Sequence, residues 1–238
     1  MRLRGRKGIR EEIERQQELI ILDPRELKGK WSEVFGNAQP IHAELGMGKG
    51  RFISEMSLKH PDINFIGIDM YDELIRKSSE KARAAHGKES EQGAIANLRL
   101  LLFNIEHIED AFAEGELERI YLNFSDPWPK KKHARRRLTH RGFVEKYIQI
   151  LNDKGEIHLK TDSQILFEFS LNSFADMGLR MRNISLHLHA EGIHPDYVMT
   201  EYETKFADKG MNIHRCEVVI GSQALEEHLA ALKKQQSL

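Results

Sequence analysis

The stretch IHAELGMGKG, residues 41–50, places a short apolar segment directly before three alternating glycines. Residues 41–45 have the length and composition of a buried strand, and an amphipathic segment typical of a helix follows through about residue 58. Gly46, Gly48 and Gly50 permit a tight turn and a close approach of the backbone to a ligand. The stretch therefore predicts a ligand-binding loop at the carboxyl end of a parallel strand. Glycines required only by a tight turn are the competing interpretation.

Strand-like and helix-like segments alternate beyond this loop. Further strands are predicted at 64–68, 98–103, 119–124 and 156–161. Helices are predicted between them at 71–86, 141–151 and 164–175. Such alternation is typical of a parallel sheet with helices on both faces. Two more strands, at 182–189 and 214–220, and a helix at 224–234 complete the chain.

A second informative stretch, NFSDPWPKKKHARRR, occupies residues 123–137. Each proline restricts the residue before it, so we expect Asp126 and Trp128 to be held extended beyond the strand. The indole then offers a flat face to a planar ring, and the carboxylate accepts hydrogen bonds. The cations that neutralise phosphates are Lys130, Arg135, Arg136 and Arg137. The combination predicts a pocket for a base within a nucleic acid, although an ordinary turn, a core tryptophan and a solvated charge run are the separate alternatives.

Charge and cysteine content limit the class of protein. The formal net charge of -1 excludes a protein that is basic over its whole surface, so nucleic acid must be bound by local clusters of cations. Cys216 is the only cysteine, which excludes an internal disulfide and is typical of a reducing compartment. No segment approaches 18 apolar residues, so we expect a cytoplasmic protein that does not enter a membrane.

The length of the chain favours one large domain. Its 238 residues, of which 40% are hydrophobic, suffice for one sizeable core. We predict a single domain over 26–238. Residues 1–25 are rich in Arg and Glu and predict a basic, flexible N-terminal arm, either a frayed tail or a segment that clamps RNA.

Acids at two strand ends narrow the choice of ligand for the glycine loop. Arg51 takes the sixth position, where a dinucleotide fingerprint needs glycine, and Gly50 follows Lys49 where a phosphate loop needs Ser or Thr. Asp69 ends the second strand, where acids accept hydrogen bonds from the hydroxyls of a ribose. Glu44 in the first strand can face a cationic group. Together these residues suit S-adenosylmethionine.

Five segments closely resemble the bacterial tRNA (guanine-N7)-methyltransferase family, and they occur in the family's order. These segments are 44–50, 67–69, 123–131, 160–162 and 200–206. The resemblance extends from residue 30 to about residue 219, and the block Ser-Asp-Pro-Trp-Pro-Lys is its most specific part. It implies a class I methyltransferase, Rossmann-like α/β fold. In that fold a mostly parallel seven-stranded sheet has helices on both faces and an antiparallel C-terminal strand.

The resemblance also implies an activity and its residues. The implied reaction moves a methyl group from S-adenosylmethionine to the variable-loop guanine of tRNA, position 46 of the tRNA, and forms 7-methylguanosine. The family's donor-binding positions fall on Glu44, Asp69, Asn104 and Asp126, and Asp126 also takes the catalytic position. Its tRNA-binding positions fall on Lys130, Asp162, Thr200, Glu201, Tyr202 and Glu203. The expected partner is tRNA, bound by a monomer or a homodimer.

Two positions depart from the commonest family pattern. Asp69 stands where the family usually has glutamate, and Asn104 where it often has aspartate. Asp69 keeps the charge on a shorter side chain, and Asn104 keeps an acceptor oxygen for the adenine amine. We expect altered donor affinity and unaltered chemistry. Asn104 as a cap for a helix near Glu106, and Asp162 as a helix N-cap, are the alternative interpretations.

Methylation of guanine N7 needs no general base, because this nitrogen has a free lone pair at neutral pH. Catalysis should come mainly from alignment, which can contribute on the order of 7–11 kcal/mol. Asp126 would stabilise the positive charge that develops on the base. We expect no metal, and we interpret the spaced His187, His189 and His194 as structural residues. A nicotinamide-dependent oxidoreductase, a catalytically silent RNA-binding protein and a methyltransferase of exocyclic amines are the rival hypotheses.

Overall fold

Residues 8–87, 95–194 and 197–236 are described by a computed structural model of the chain. The chain divides into two units. The first unit falls within 1–112 and 195–201, and the second within 113–194 and 202–238. The single domain expected over 26–238 stays a prediction.

The first unit contains four parallel strands in the spatial order β1, β4, β3, β2. Their bounds are β1 (Ile20–Ile21), β2 (Ile41–Leu45), β3 (Asn64–Asp69) and β4 (Leu98–Leu102). Every residue of β2 and β3 is buried, as expected of parallel strands that are covered on both faces. Because β2 and β3 pair in parallel, with Leu45 opposite Ile68, their carboxyl ends lie side by side.

The described residues of the first unit form five α-helices. They are α1 (Ile9–Glu14), α2 (Trp31–Phe35), α3 (Arg51–Lys59), α4 (Asp72–His86) and α5 (Ile108–Ala111). α3 begins directly after the glycine loop and packs against both β3 and α4. Trp31 of α2 is fully buried, and its indole N–H donates to the carbonyl of Ala111 at 2.9 Å.

The described part of the N-terminal arm is folded into the first unit. Ile9 and Ile13 of α1 are buried, and α1 packs against α4. Arg83 of α4 reaches back to Glu18 at 2.6 Å, and β1 pairs with β4. From residue 8 onward the arm therefore buries apolar side chains, and the flexibility expected of it stays a prediction. Residues 1–7 lie outside the described residues.

The second unit contains four strands in the spatial order β5, β6, β8, β7. Their bounds are β5 (Leu117–Asn123), β6 (Leu151–Thr161), β7 (Arg180–Ser185) and β8 (His214–Val219). β5 and β6 are parallel, and β8 is antiparallel to both of its neighbours. The predicted antiparallel C-terminal strand is confirmed. The described residues form eight strands in place of seven, because the two-residue β1 is too short to show a period.

The remaining helices are α6 (Arg141–Ile150), α7 (Gln164–Asp176), α8 (Glu201–Ala207) and α9 (Ser222–Gln236). α6, α7 and α9 all pack against β6. β7 ends at Ser185, earlier than predicted, because Asn183 has a φ of 50° and the pairing with β8 shifts register after Arg182. His187 and His189 therefore lie beyond the strand on which they were expected.

Candidate active site

The three glycines after β2 have two different roles. Gly46 and Gly48 have φ of 76° and 59°, and a Cβ atom built on either would meet no atom within 4 Å. Open space at a positive φ is what a ligand that approaches the backbone requires. Gly50 also has a positive φ, but a Cβ there would lie 2.5 Å from the hydroxyl of Ser78 on α4. The first two glycines therefore border open space, whereas the third permits close packing of α4.

Asp69 joins the glycine loop to the end of β3. One carboxylate oxygen accepts from the backbone N–H of Gly48 at 3.1 Å, and the other accepts from that of Tyr71 at 3.2 Å. The side chain is nearly buried, in agreement with this structural role. A carboxylate offers about four acceptor sites, twice the number that these two amides take. The position predicted to bind a ribose therefore also shapes the loop.

Glu44 and Asn104 complete the set of donor-side positions in the first unit. Glu44 is buried within β2, opposite Gly67 of β3. A carboxylate in such surroundings favours a cationic or hydrogen-bonding group beside it. Asn104 follows β4, and its side-chain oxygen accepts from the backbone N–H of Glu106 at 3.0 Å. The capping interpretation of Asn104 is confirmed, and the adenine contact stays a prediction.

Asp126 is an exposed residue of the second unit, on a turn that directly follows β5. The residues two positions before and after it have unusual backbone conformations, with φ of 52° at Phe124 and 41° at Trp128. The prediction that Trp128 is extended was therefore wrong. Its carbonyl and that of Pro127 both accept hydrogen bonds from Arg137 at 3.1 Å.

The indole of Trp128 is partly covered by the basic run. The guanidinium carbon of Arg136 lies 4.9 Å from the centre of the Trp128 ring, and the ring of His133 approaches edge-on at 5.7 Å. A cation above an aromatic face is a favourable arrangement. Part of the ring on which the sequence predicted a stacked base is therefore in contact with Arg136 and His133.

The basic run itself forms a short 3-10 helix, Lys131–Arg136. Most of its cations are exposed, namely Lys130, Lys131, Lys132, Arg135 and Arg136. Arg137 is different, because only 5% of its surface is exposed. The sequence predicted one role for all of these cations, whereas the structure separates one buried arginine from its exposed neighbours.

The segment 200–203 consists of two ion-paired acids, one buried hydroxyl and one exposed ring. Glu201 forms an ion pair with Lys81 of α4. Glu203 is fully buried and lies 2.5 Å from the Lys160 ammonium and 3.0 Å from the His189 ring. Thr200 is buried and Tyr202 is half exposed. The partners of Glu203 lie far away in the sequence, so no local pattern could have indicated them.

Asp162 does not cap α7. The N-cap is Ser163, whose hydroxyl accepts from the backbone N–H of Leu166 at 3.3 Å. The hydroxyl of Thr161 in turn accepts from the N–H of Ser163 at 3.0 Å. The capping interpretation of Asp162 was therefore wrong, because its two neighbours provide these contacts.

Among the described residues, Glu156, His158 and Glu217 are close enough together to hold a metal ion. Arginines already surround their carboxylates. Glu156 lies 3.1 Å from Arg119 and 2.5 Å from Arg182, and Glu217 lies 2.9 Å from Arg182 and also pairs with Arg215. The guanidinium groups thus take the contacts that a cation would need, and this cluster serves as an ion-pair network between β5, β6, β8 and β7.

The comparisons with known proteins identify the family. A family model described as a putative methyltransferase matches residues 38–216. A tRNA (guanine-N(7)-)-methyltransferase of Geobacillus sp. (strain WCH70) is 49% identical over 92% of this chain and 95% of its own length. That of Streptococcus sanguinis (strain SK36) is 46% identical over 91% of this chain and 98% of its own length.

Solved structures support the fold. A mutant of the 16S rRNA (adenine(1408)-N(1))-methyltransferase from Catenulisporales acidiphilia, solved with cosubstrate SAM, aligns with a TM-score of 0.58 at 16% identity. That alignment covers 84% of this chain and 92% of the other. The 16S rRNA methyltransferase KamB aligns with a TM-score of 0.59 at 12% identity, over 81% of this chain and 93% of the other. The predicted class I methyltransferase fold is confirmed.

No helix in the described ranges is long and apolar enough to cross a membrane. The relatives match the chain over nearly its whole length. The segments that carried the resemblance all lie within residues 38–216, which the family model matches. By its sequence, the chain belongs to the tRNA (guanine-N7)-methyltransferase family.

Proposed function

We propose that this chain transfers a methyl group from S-adenosylmethionine to N7 of the variable-loop guanine of tRNA. The observation that carries the proposal is the turn after β5, on which exposed Asp126 precedes a run of exposed cations that begins at Lys130. A carboxylate beside cations suits a base that becomes positively charged while its phosphates are held nearby. The two relatives described above are named as enzymes that methylate N7 of guanine in tRNA.

The first unit would bind the methyl donor. Gly46 and Gly48 border open space after β2, where the backbone can approach a ligand closely. We assign the ribose hydroxyls to Asp69, a cationic group of the donor to Glu44, and the adenine amine to Asn104. All three residues lie at or just beyond the carboxyl ends of adjacent parallel strands, which is where α/β sheets bind their ligands. The bound donor supplies a methyl group on a cationic sulfur.

Asp126 would act on the acceptor base. The lone pair of N7 forms the new bond to carbon, so no residue has to remove a proton first. Positive charge appears on the guanine ring as the bond forms, and the carboxylate of Asp126 stabilises it. The same carboxylate can accept from the exocyclic amine of guanine and so set the rotation of the ring. Because the turn is held by Arg137, the carboxylate is placed before the reaction begins.

The tRNA would lie against the exposed cations of the second unit. Lys130, Arg135 and Arg136 are exposed and can reach phosphates. Tyr202 is half exposed and can contact the substrate directly, whereas buried Glu203 would act through Lys160 and His189. Asp162 is assigned to substrate binding on the family pattern. We place the reaction in the cytoplasm, by a monomer or a homodimer and without a metal.

A methyl-transfer assay tests the proposal. Purified chain, labelled S-adenosylmethionine and unmodified tRNA are incubated, and the product nucleosides are separated. We expect 7-methylguanosine, no product when adenine replaces the variable-loop guanine, and an unchanged rate in a chelator. Asp126→Ala should lower turnover by a large but measurable factor, while donor binding by calorimetry persists. Asp176→Ala, an exposed acid at the end of α7, is the matched control and should keep the wild-type rate.

Three results would contradict the proposal. If Asp126→Ala turns over tRNA at the wild-type rate, the role of this carboxylate is wrong. If tRNA binds and no methylated nucleoside forms, the chain is an RNA-binding protein that has kept the fold. Product in an rRNA fragment but not in tRNA would favour a different acceptor.

A further inference from the structure

We infer that Arg137 is a positioning residue that holds the turn carrying Asp126, and that it does not contact phosphate. This inference deepens the proposed function and rests on it. The sequence grouped Arg137 with the cations that neutralise tRNA phosphates. Its surroundings in the structure differ from those of every exposed cation in the run.

The contacts of the Arg137 guanidinium point at the turn. Its Nε donates to the carbonyl of Pro127 and its Nη2 donates to the carbonyl of Trp128, both at 3.1 Å. These two carbonyls belong to the residues that directly follow Asp126. A planar guanidinium presents its donors in a fixed fork, so two hydrogen bonds define the position of both peptide groups.

The Arg137 guanidinium also contacts an aromatic ring of α7. The Arg137 guanidinium carbon lies 4.3 Å from the centre of the Phe169 ring on α7. The same ring stacks on His140, with 6.4 Å between centroids and 12° between planes. The backbone of Arg137 donates to Ala134 at 3.1 Å and accepts from His140 at 2.9 Å. The arginine is therefore held by α7 and by its own backbone while it holds the turn.

The turn needs such support because its backbone is strained. Trp128 has a φ of 41° and Phe124 a φ of 52°, and bulky residues rarely adopt positive φ. Trp128 also precedes a proline, which favours an extended conformation. Strained conformations persist where surrounding contacts over-determine them, and they are common at functional sites. The two hydrogen bonds from Arg137 are contacts of this kind.

Burial excludes the alternative role. Arg137 is 5% exposed, so a phosphate has almost no access to its donors. Arg135 and Arg136 are both exposed, and the Arg136 guanidinium lies over the Trp128 ring. Contacts with phosphate can therefore come from its neighbours, while Arg137 shapes the site.

Steady-state kinetics separate the two roles. We expect Arg137→Ala to lower kcat by up to about 100-fold, as misplacement of a catalytic group by about 1 Å can do. Its KM for tRNA and the salt dependence of that KM should change little. Arg135→Ala is the matched control and should raise KM and flatten the salt dependence at unchanged kcat. Arg137→Lys keeps the charge but loses the fork, so it should remain slow.

A double-mutant cycle tests whether Arg137 acts through Asp126. If it does, adding Arg137→Ala to Asp126→Ala should cost little further activity. If the losses of activity caused by the two substitutions are fully additive in free energy, the inference is overturned. Wild-type kcat in Arg137→Lys, or a raised KM with a flattened salt slope in Arg137→Ala, also overturns it, because either result is the signature of a phosphate contact.

A measurement without turnover keeps this inference separate from the proposed function. Trp31 is fully buried and Trp128 is half buried, and they are the only tryptophans, so acrylamide quenching reports mainly on Trp128. Arg137→Lys should increase the quenching at a temperature well below its unfolding transition, whereas Arg135→Ala should not. If Arg137→Lys is quenched no more than the wild type, the inference is overturned. If the wild-type chain methylates no tRNA, the proposed function is refuted. If Arg137→Lys nevertheless shows more quenching than the wild type, Arg137 remains the residue that holds the turn.

Discussion

The backbone N–H of Gly48 and the carboxylate of Asp69 are joined by a hydrogen bond of 3.1 Å. This contact links the loop after β2 to the end of β3. Asp69 therefore has two tasks in the proposed function, since it shapes the loop beside the open space at Gly46 and it contacts the ribose of the donor.

Removal of the Asp69 charge should weaken donor binding. Asp69→Asn keeps the size of the side chain but leaves one acceptor oxygen for two backbone amides. We expect the Kd for S-adenosylmethionine to rise about 10-fold or more, equivalent to roughly 1.4 kcal/mol. Isothermal titration calorimetry measures the change, with Asp72→Asn in the first turn of α4 as the control. An unchanged Kd in Asp69→Asn would contradict the assigned ribose contact.

Alanine substitutions should separate the two roles of the loop glycines. Gly50→Ala places a Cβ atom 2.5 Å from the Ser78 hydroxyl, and such overpacking should lower the free energy of unfolding by about 1–3 kcal/mol. Gly48→Ala meets no atom within 4 Å, so only backbone strain of about 1–2 kcal/mol applies. We expect Gly48→Ala to weaken donor binding by more than its loss of folding stability alone would explain. Urea denaturation and calorimetry compare the two variants, and equal effects on both quantities would refute the distinction.

Loss of an exposed cation should be visible in the salt dependence of tRNA binding. Lys130→Ala should raise the tRNA KM at unchanged kcat and reduce the slope of log affinity against log salt by roughly 0.7–0.9, the value for one lost phosphate contact. Lys154, an exposed cation in β6, provides the control as Lys154→Ala. The same slope in the wild type and Lys130→Ala would dismiss the phosphate contact.

The buried carboxylate of Glu203 should make the second unit sensitive to loss of its partner. Lys160→Met leaves the Glu203 carboxylate buried without this ammonium, which typically costs about 3–5 kcal/mol. The double variant Lys160→Met/Glu203→Met removes both charges and should lose less. Urea denaturation gives the free energies of unfolding. A double variant that is less stable than Lys160→Met would show that the charge pair is not the origin of the effect.

Acid should weaken the second unit through Glu156. Burial raises the pKa of this carboxyl, but the His158 hydrogen bond and the charges of Arg119 and Arg182 outweigh it and hold the pKa below 4.5. The unfolded chain therefore takes up the proton at a higher pH than the folded chain. The resulting stabilisation is complete above pH 4.5 and is lost as the pH falls through the lower folded-state pKa.

Glu156→Gln tests this pH dependence. The variant should have a lower free energy of unfolding near neutral pH and a flatter decline below pH 4.5. Glu145→Gln, in an exposed pair with Arg141, is the control and should follow the wild-type curve. Parallel curves for Glu156→Gln and the wild type would show that the Glu156 carboxyl does not drive the acid sensitivity.

Much of the fold could be predicted because its elements have local signatures. β2 was predicted with both ends correct, and α3 begins directly after Gly50 as the glycine spacing indicated. β1 was missed because two residues show no period, and β7 was drawn too long because nothing in the pattern predicts the positive φ of Asn183. The hydrophobic period of a strand indicates which face of the sheet each side chain lies on. It does not indicate the residue at which strand pairing ends.

The candidate site was predictable in kind but not in every contact. Exposed Asp126 and the exposed cations after it agree with the pattern of a charged turn after a strand. The capping of Glu106 by Asn104 was one of two local interpretations and is confirmed. The ion pairs of Glu203 were not predictable, because Lys160 and His189 precede it by 43 and 14 residues and belong to other parts of the fold.

The sequence by itself determined the family, the main strands and the long helices, the glycine loop and the charged turn, since each depends on residues that are neighbours in the chain. Only the tertiary structure decided that Gly50 serves the packing of α4 and that Arg137 is buried while Arg135 and Arg136 are exposed. Three consecutive arginines have the same local chemistry. Their roles differ because burial and hydrogen-bond partners depend on α7 and on the carbonyls of the turn, which folding brings to one of them alone.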